Sequence, residues 1–429
     1  MLFFGYDLLL IFSMLFLLPK FLWRRIVHGE YKGLFFSYFG LSLPKVSEKK
    51  GRVFLLHAVS MGETKAAASL FAQLKALYPQ DQFYITSRTE TGHAEAKRIL
   101  AKADGQFLLP VDCSWAMRRF FHRLKPDVVV LVESEFWLHF LKYAKASGAL
   151  VCLVSGRLSS RSFERFQKLS FFSRLLFSYF DLICVQNELF QEHFLQLGID
   201  PSKVFVTGNL KLDTPFTSVD TQSLRQKMGI KEADFVLVIA STHPGEEEKI
   251  LQSLSVLCHD VPSLKLLFVP RHPHRFIEVE EMLKKAPFPM IAHSRIEQKT
   301  GNEKIFLIDA MGLLLSFYQI ADLAIVGGSF LPGLRGHNVF EPIQAGAAVI
   351  FGPYMGDQKD FVQSILEAQA GIQVSLEELK DKTSYLLQDP LARIAMQEKG
   401  RTLFLQMQGS SLRTCKFIQE KITFSERNH

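Results

Sequence analysis

The sequence predicts an α/β chain of two Rossmann-like domains behind an N-terminal transmembrane anchor helix. Three observations predict it. From Arg52 onward short apolar runs alternate with amphipathic stretches; that alternation breaks and restarts near Asp213; and residues 1–18 are almost wholly apolar. The length of 429 residues is too great for one compact core and suits two domains.

The anchor comes first. Asp7 is the only charge in residues 1–18, Pro19 and Lys20 close the run, and Arg24 and Arg25 come next. With Phe21 to Trp23 the run approaches the ~20 apolar residues a span needs. A signal peptide carries its basic residues first and small residues at its cleavage site. Here the basic residues come last and the tail is bulky, so the expectation is an uncleaved single-pass anchor over residues 1–24. Its positive flank places the two domains on the cytoplasmic side. A half-inserted interfacial helix is the alternative.

The first domain is expected over residues 25–212, with strands at Val53–Val59, Phe83–Ser87, Val128–Val132, Leu150–Ser155, Leu182–Gln186 and Val204–Thr207. Helical stretches lie between them, such as Glu63–Leu77 and Trp137–Ser147. Apolar strands without polar alternation imply a sheet buried on both faces, and strand–helix alternation makes it parallel. The second domain is expected over residues 213–429, its last helix packing back on the first. Its strands are Phe235–Ser241, Leu264–Pro270, Ile305–Ile308, Leu323–Val326 and Val349–Phe351. Ligands of such sheets bind at the carboxyl ends of strands, so the chemistry is sought in the loops there.

Composition is globular, with 48% hydrophobic and 22% charged residues and no repeat. A formal charge of +7 and a pI near 9.0 favour anionic partners such as phosphates or an acidic membrane surface. Nucleic-acid binding would call for interleaved aromatic and basic clusters, which are absent. The five cysteines, Cys113, Cys152, Cys184, Cys258 and Cys415, form no CxxC pair and read as reduced, buried thiols. No metal site and no cofactor are expected.

Three motifs of the first domain could carry chemistry. After the first strand comes His57-Ala58-Val59-Ser60-Met61-Gly62-Glu63. Gly62 would allow a tight turn, and Glu63 would open a helix whose dipole favours a charged carboxylate able to take a proton from a sugar hydroxyl. Glu133-Ser134-Glu135-Phe136-Trp137 ends another strand, and its carboxylates could bind acceptor hydroxyls or simply solvate the strand end. Arg157-Leu158-Ser159-Ser160-Arg161-Ser162 offers guanidinium forks and hydroxyls suited to phosphate, or is a solvated basic loop.

Three more lie in the second domain. Ser241-Thr242-His243-Pro244-Gly245-Glu246-Glu247 comes after a strand and opens a helix, a natural phosphate site. Arg271-His272-Pro273-His274-Arg275 ends the next, with Arg271 placed to reach an anion. Gly327-Gly328-Ser329, then Asn338 and Glu341-Pro342, reads as glycine N–H groups offered to a phosphate and a carboxylate for a ribose diol.

Taken together these residues resemble the Kdo (3-deoxy-D-manno-octulosonic acid) transferases. The matching pieces, in family order, are His57–Glu63, Glu133–Trp137, Arg157–Ser162, Gly208–Asp213, Ser241–Glu247, Pro270–Phe276, Asp309–Gly312, Gly327–Ser329 and Gly336–Pro342. The resemblance implies a GT-B fold and a metal-independent, inverting glycosyltransferase at the bacterial inner membrane. It implies CMP-Kdo as donor and a lipid A precursor, lipid IVA, as acceptor. It also implies Glu63 as general base. Ser241, Thr242, Arg271, His272, Pro273, Met311, Gly312, Gly328, Ser329, Asn338 and Glu341 would face the donor. Ser60, Gly62, Glu133, Glu135, Arg157, Ser159 and Arg161 would face the acceptor. The chain departs from the family's pattern at Leu313, where a Glu is common, and at Pro332-Gly333-Leu334-Arg335, where the loop is usually richer in Gly. The rival reading is another membrane-associated GT-B transferase using a UDP-sugar and a lipid-linked acceptor. A non-catalytic tether for anionic lipid fits less well, because Glu63 and the Gly-rich loop are both present.

Overall fold

The computed structural model describes residues 2–27, 35–38, 40–41, 46, 48, 50–214, 216–356 and 358–427. The chain divides into two compact units: unit 1 is residues 1–215 with 407–429, and unit 2 is residues 216–406.

Unit 1 holds a parallel seven-stranded sheet. Its strands are β1 (Val53–His57), β2 (Gln82–Ser87), β3 (Gly105–Leu108), β4 (Val128–Val132), β5 (Leu150–Gly156), β6 (Leu182–Val185) and β7 (Val204–Val206), in the order β3-β2-β1-β4-β5-β6-β7. Every residue of β1 and β4 is buried. Alternate side chains serve two separate cores: Leu55 and Val129 join one, Phe54 and Val130 the other. That is why these strands read as unbroken apolar runs.

Unit 2 repeats the plan. Its strands are β8 (Phe235–Thr242), β9 (Leu264–Pro270), β10 (Met290–Ala292), β11 (Ile305–Leu307), β12 (Leu323–Val326), β13 (Ala348–Phe351) and β14 (Ile372–Gln373). They run parallel in the order β10-β11-β9-β8-β12-β13-β14. In each sheet the winding reverses once, between β1 and β4 and between β8 and β12. Loops diverge at such a switch point and leave a crevice at the carboxyl edge.

The final helix, Ser410–Arg427, belongs to unit 1. The Asp213 carboxylate accepts from the Gly409 and Ser411 N–H groups, Arg413 Nε donates to the Thr207 carbonyl at 2.9 Å, and Phe417 stacks on Phe205 with ring centroids 4.2 Å apart.

The N-terminal run forms a helix, Leu2–Val27, with Pro19 inside it. Met1 lies outside the described residues. The transmembrane anchor expected here is not confirmed: among the described residues no helix is long and apolar enough to cross a membrane. The first turns of helix Leu2–Val27 contact the rest of unit 1. Tyr6 Oη donates to Asp112 at 3.0 Å, and the Asp7 carboxylate meets the Ser114 N–H at 2.9 Å and His139 Nε2 at 3.1 Å. Phe3 and Tyr6 pack against the core of unit 1, while Phe4, Leu8, Leu9, Ile11, Phe12, Leu15 and Phe16 stay exposed.

Candidate active site

In unit 1 the loops after β1 and β4 flank the switch point. Ser60 caps helix Met61–Leu77, its Oγ accepting from the Glu63 N–H at 3.3 Å. The Glu63 carboxylate reaches back, accepting from the Val59 N–H at 2.7 Å and from Ser60 Oγ at 3.0 Å. This reciprocal capping fixes the carboxylate at the helix start. The helix start alone would favour the charged form. Instead burial pushes the Glu63 carboxyl up, with Glu133 adding to the rise and the Val59 and Ser60 donors and Lys211 opposing it. A carboxylate made more basic in this way is a better proton acceptor.

Gly62 differs from expectation. It has no left-handed backbone and sits in the first helical turn, where an added Cβ would meet only Ser60 Oγ at 3.8 Å. Its missing side chain leaves the helix start uncovered rather than making a turn.

Glu133 and Ser155, at the ends of neighbouring β4 and β5, adopt φ of 65° and 51°. Such left-handed non-glycine residues carry strain that sites commonly hold. Glu133 Oε1 lies 2.5 Å from Lys211 Nζ. The sequence placed Lys211 inside a matching piece but gave it no role; it brings a cation to the carboxylates. Glu135 accepts from Trp137 Nε1 at 2.5 Å, and its carboxyl is pushed up to about 7 by burial and by the charge of Glu63. Arg88, after β2, lays its guanidinium 4.2 Å from the centroid of a Trp137 ring. It too went unread, because nothing around Arg88 in the sequence marks it.

The Arg157 loop is tied to this group: Ser134 Oγ donates to the Arg157 carbonyl at 3.0 Å, and the Arg157 N–H to the Glu133 carbonyl at 3.3 Å. Ser159 caps helix Ser160–Lys168, and Arg161 is exposed at its start. His57 belongs to the core. It is fully buried, Nδ1 is 3.0 Å from Thr86 Oγ1, and burial lowers its imidazole to about 3.

In unit 2 the Gly-rich loop after β12 corrects the reading of Gly328 and Ser329. Their N–H groups do not stand free for a phosphate. The buried Glu246 carboxylate accepts from Gly328 N at 2.6 Å, Ser329 N at 3.0 Å, Phe330 N at 2.9 Å and His243 N at 2.9 Å. Ser329 Oγ is engaged as well, donating to the Val326 carbonyl and accepting from the Gly352 N–H. The helix start therefore supplies its own anion to the nest. Sequence could not show this, since Glu246 looks like any acidic first-turn residue.

Around that plug stand side chains. Ser241, the penultimate residue of β8, has φ of 55°, and Thr242 Oγ1 is buried without a hydrogen-bond partner. His243 Nε2 lies 2.8 Å from His337 Nε2. His272 meets His243 edge-on, His274 stacks on His272, and Arg271 is exposed. Beneath them Arg275 forms a buried pair with Glu247 at 2.6 Å, which fixes the loop holding Arg271, His272 and Pro273 to helix Glu246–Asp260. Met311 is exposed and Gly312 is left-handed, in the loop after β11. Asn338 caps the turn at Phe340 and donates to Glu341 Oε1 at 3.3 Å.

Two doubly wound parallel sheets, each with polar side chains at its switch point, define an α/β protein of GT-B-like fold. The model of the 3-deoxy-D-manno-octulosonic-acid transferase (kdotransferase) family matches residues 35–214. The 3-deoxy-D-manno-octulosonic acid transferase of Chlamydia trachomatis serovar A is 32% identical over 421 residues, covering 97% of this chain and 97% of that protein. That of Chlamydophila psittaci is 35% identical over 400 residues, covering 92% and 91%. In fold alone, the UDP-GlcNAc 2-epimerase from Neisseria meningitidis bound to UDP-GlcNAc is similar, with a TM-score of 0.62 at 14% identity over 87% of this chain and 99% of that one. The chain belongs to the Kdo transferase family, the glycosyltransferases that add Kdo in lipopolysaccharide biosynthesis.

Proposed function

We propose that this enzyme transfers Kdo from CMP-Kdo to a sugar hydroxyl of a lipid A precursor such as lipid IVA, with inversion and without a metal. The observation that carries this reading is Glu63, a half-buried carboxylate with raised proton affinity at the switch point of unit 1. Glu63 takes the proton as the acceptor O–H bond breaks. The acceptor oxygen bonds to the Kdo anomeric carbon, and the bond from that carbon to the CMP phosphate breaks. Lys211 offsets the charge of the neighbouring carboxylates. Arg157 and Arg161 suit acceptor phosphates. In unit 2 the loops carrying Thr242, Arg271, Met311, Gly312, Asn338 and Glu341 receive the donor.

The exposed apolar side chains of helix Leu2–Val27 support attachment to the cytoplasmic face of the inner membrane, with the helix lying in the interface. Exchanging Phe12 and Phe16 for Asp should reduce co-sedimentation with anionic vesicles in high salt; unchanged binding would remove that helix from the role.

The test of the reaction is incubation with CMP-Kdo and a tetra-acylated lipid A precursor, followed by mass analysis. A Kdo-bearing product with CMP release supports it. Transfer from a UDP-sugar in its place would overturn the donor assignment.

A further inference from the structure

We propose that His243 and His337 form a proton-sharing pair that binds the anionic phosphate of the donor, taking up one proton as the anion enters. This rests on the reading that unit 2 receives a nucleotide-linked donor.

The geometry is specific. The two rings lie nearly parallel, with centroids 5.1 Å apart and a 12° interplanar angle, and the two Nε2 atoms are 2.8 Å apart. One Nε2 must therefore carry hydrogen and the other must accept it. In the neutral pair the accepting ring has its hydrogen on Nδ1, and the donating ring has a bare Nδ1. A single added proton goes to that bare Nδ1. It leaves the Nε2–Nε2 hydrogen bond intact and turns both Nδ1 atoms into donors. A second proton would place hydrogen on both Nε2 atoms and break the bond. The pair is thus built to hold one extra positive charge.

The ring positions are set by the chain. Gly328 has φ of +68°, and a Cβ there would stand 2.6 Å from His337 Cδ2, so only glycine lets the imidazole lie against the loop. His243 directly succeeds β8, and its own N–H is fixed by Glu246. The surroundings favour an anion. Arg271, His272 and His274 come from the loop after β9, and none is a counter-charge. The nearby carboxylate, Glu246, is already saturated by four backbone N–H groups. Burial, Arg271, His243 and His272 hold the His337 imidazole down to about 4, so that ring carries no charge of its own near pH 7. A phosphate reverses that field and raises the pair's proton affinity. The plugged Gly-rich loop explains why side chains take this part.

The test is calorimetric titration of CMP into the full-length protein, in buffers of different ionisation enthalpy, for wild type and His337→Asn. Wild type should take up as much as one proton more than the variant. Its affinity should strengthen on lowering pH by up to about tenfold per unit relative to the variant, which also cancels the titration of CMP itself. Equal proton uptake with parallel pH dependences would overturn the pair and leave the donor reading standing. No CMP binding in wild type would overturn both. Should His337→Asn fail to fold, His243→Asn poses the same question from the other ring.

Discussion

The Glu246 carboxylate and the Gly328 N–H are joined by a 2.6 Å hydrogen bond inside unit 2. Three further N–H groups converge on the same carboxylate. Glu246→Gln keeps the shape but presents an NH₂ to donors and loses the charge. Hydrogen bonds to charged groups are worth roughly 1.5–3 kcal/mol, and a stranded buried donor costs a similar amount. The variant should therefore lose about 2–4 kcal/mol of stability, read by denaturant unfolding. Wild-type stability would mean that the loop does not depend on its plug.

Glu63→Gln should fold normally and lose transfer by ~10²–10⁴-fold, because an amide cannot accept the proton. Single-turnover rates with CMP-Kdo measure this. A rate within a few-fold of wild type would take the base role from Glu63.

Lys211→Met bears on the same carboxyl with a definite sign. Lys211 favours the charged form of Glu63, so its removal raises the carboxyl further. The acid limb of the pH–rate profile should move to higher pH. Movement to lower pH, or none, would show that Lys211 does not act on the base.

The N-terminal helix is part of unit 1 by its contacts. Removing residues 1–23 takes away the Tyr6 and Asp7 partners of Asp112, Ser114 and His139 and uncovers apolar surface. The truncated protein should be less stable, and Asp7→Ala alone should cost about 1–3 kcal/mol by leaving the Ser114 N–H without its acceptor. Thermal melts of both test this; unchanged melting would make the contacts incidental.

His57 gives a pH prediction. Its imidazole is lowered in the fold to about 3 from an ordinary 6.5. Between those values the unfolded chain binds the proton and the folded chain does not. Stability from this group is therefore present above pH 6.5 and lost as pH falls toward 3, by on the order of 2–3 kcal/mol at pH 4.5. Urea unfolding of wild type and His57→Asn across that range should show a shallower dependence in the variant.

The central strands were legible because burial on both faces forces continuous apolar runs, as in β4, β9 and β12, whose bounds agree with the sequence reading. The strands β3, β10 and β14 escaped because they are edges of two to four residues, paired on one side only. In the site, Glu63 was legible as a helix-opening carboxylate after a strand. What could not be read was which partner fills which donor. The Gly-rich loop looks the same whether a ligand or Glu246 occupies it, and His243 meets His337 across 94 residues of chain.

The return of helix Ser410–Arg427 to unit 1 makes unit 2 an insertion within unit 1. On the ribosome, the first sheet must therefore wait for its last helix until the whole of unit 2 has emerged. At ~5–20 residues per second that delay is on the order of ten seconds or more, during which Leu210 and Cys184 lack the cover of Ile418 and Ile422. The exposed apolar face of the unfinished sheet is then a natural client for a chaperone. A nonsense codon near the end of the gene would harm the unit that was made first.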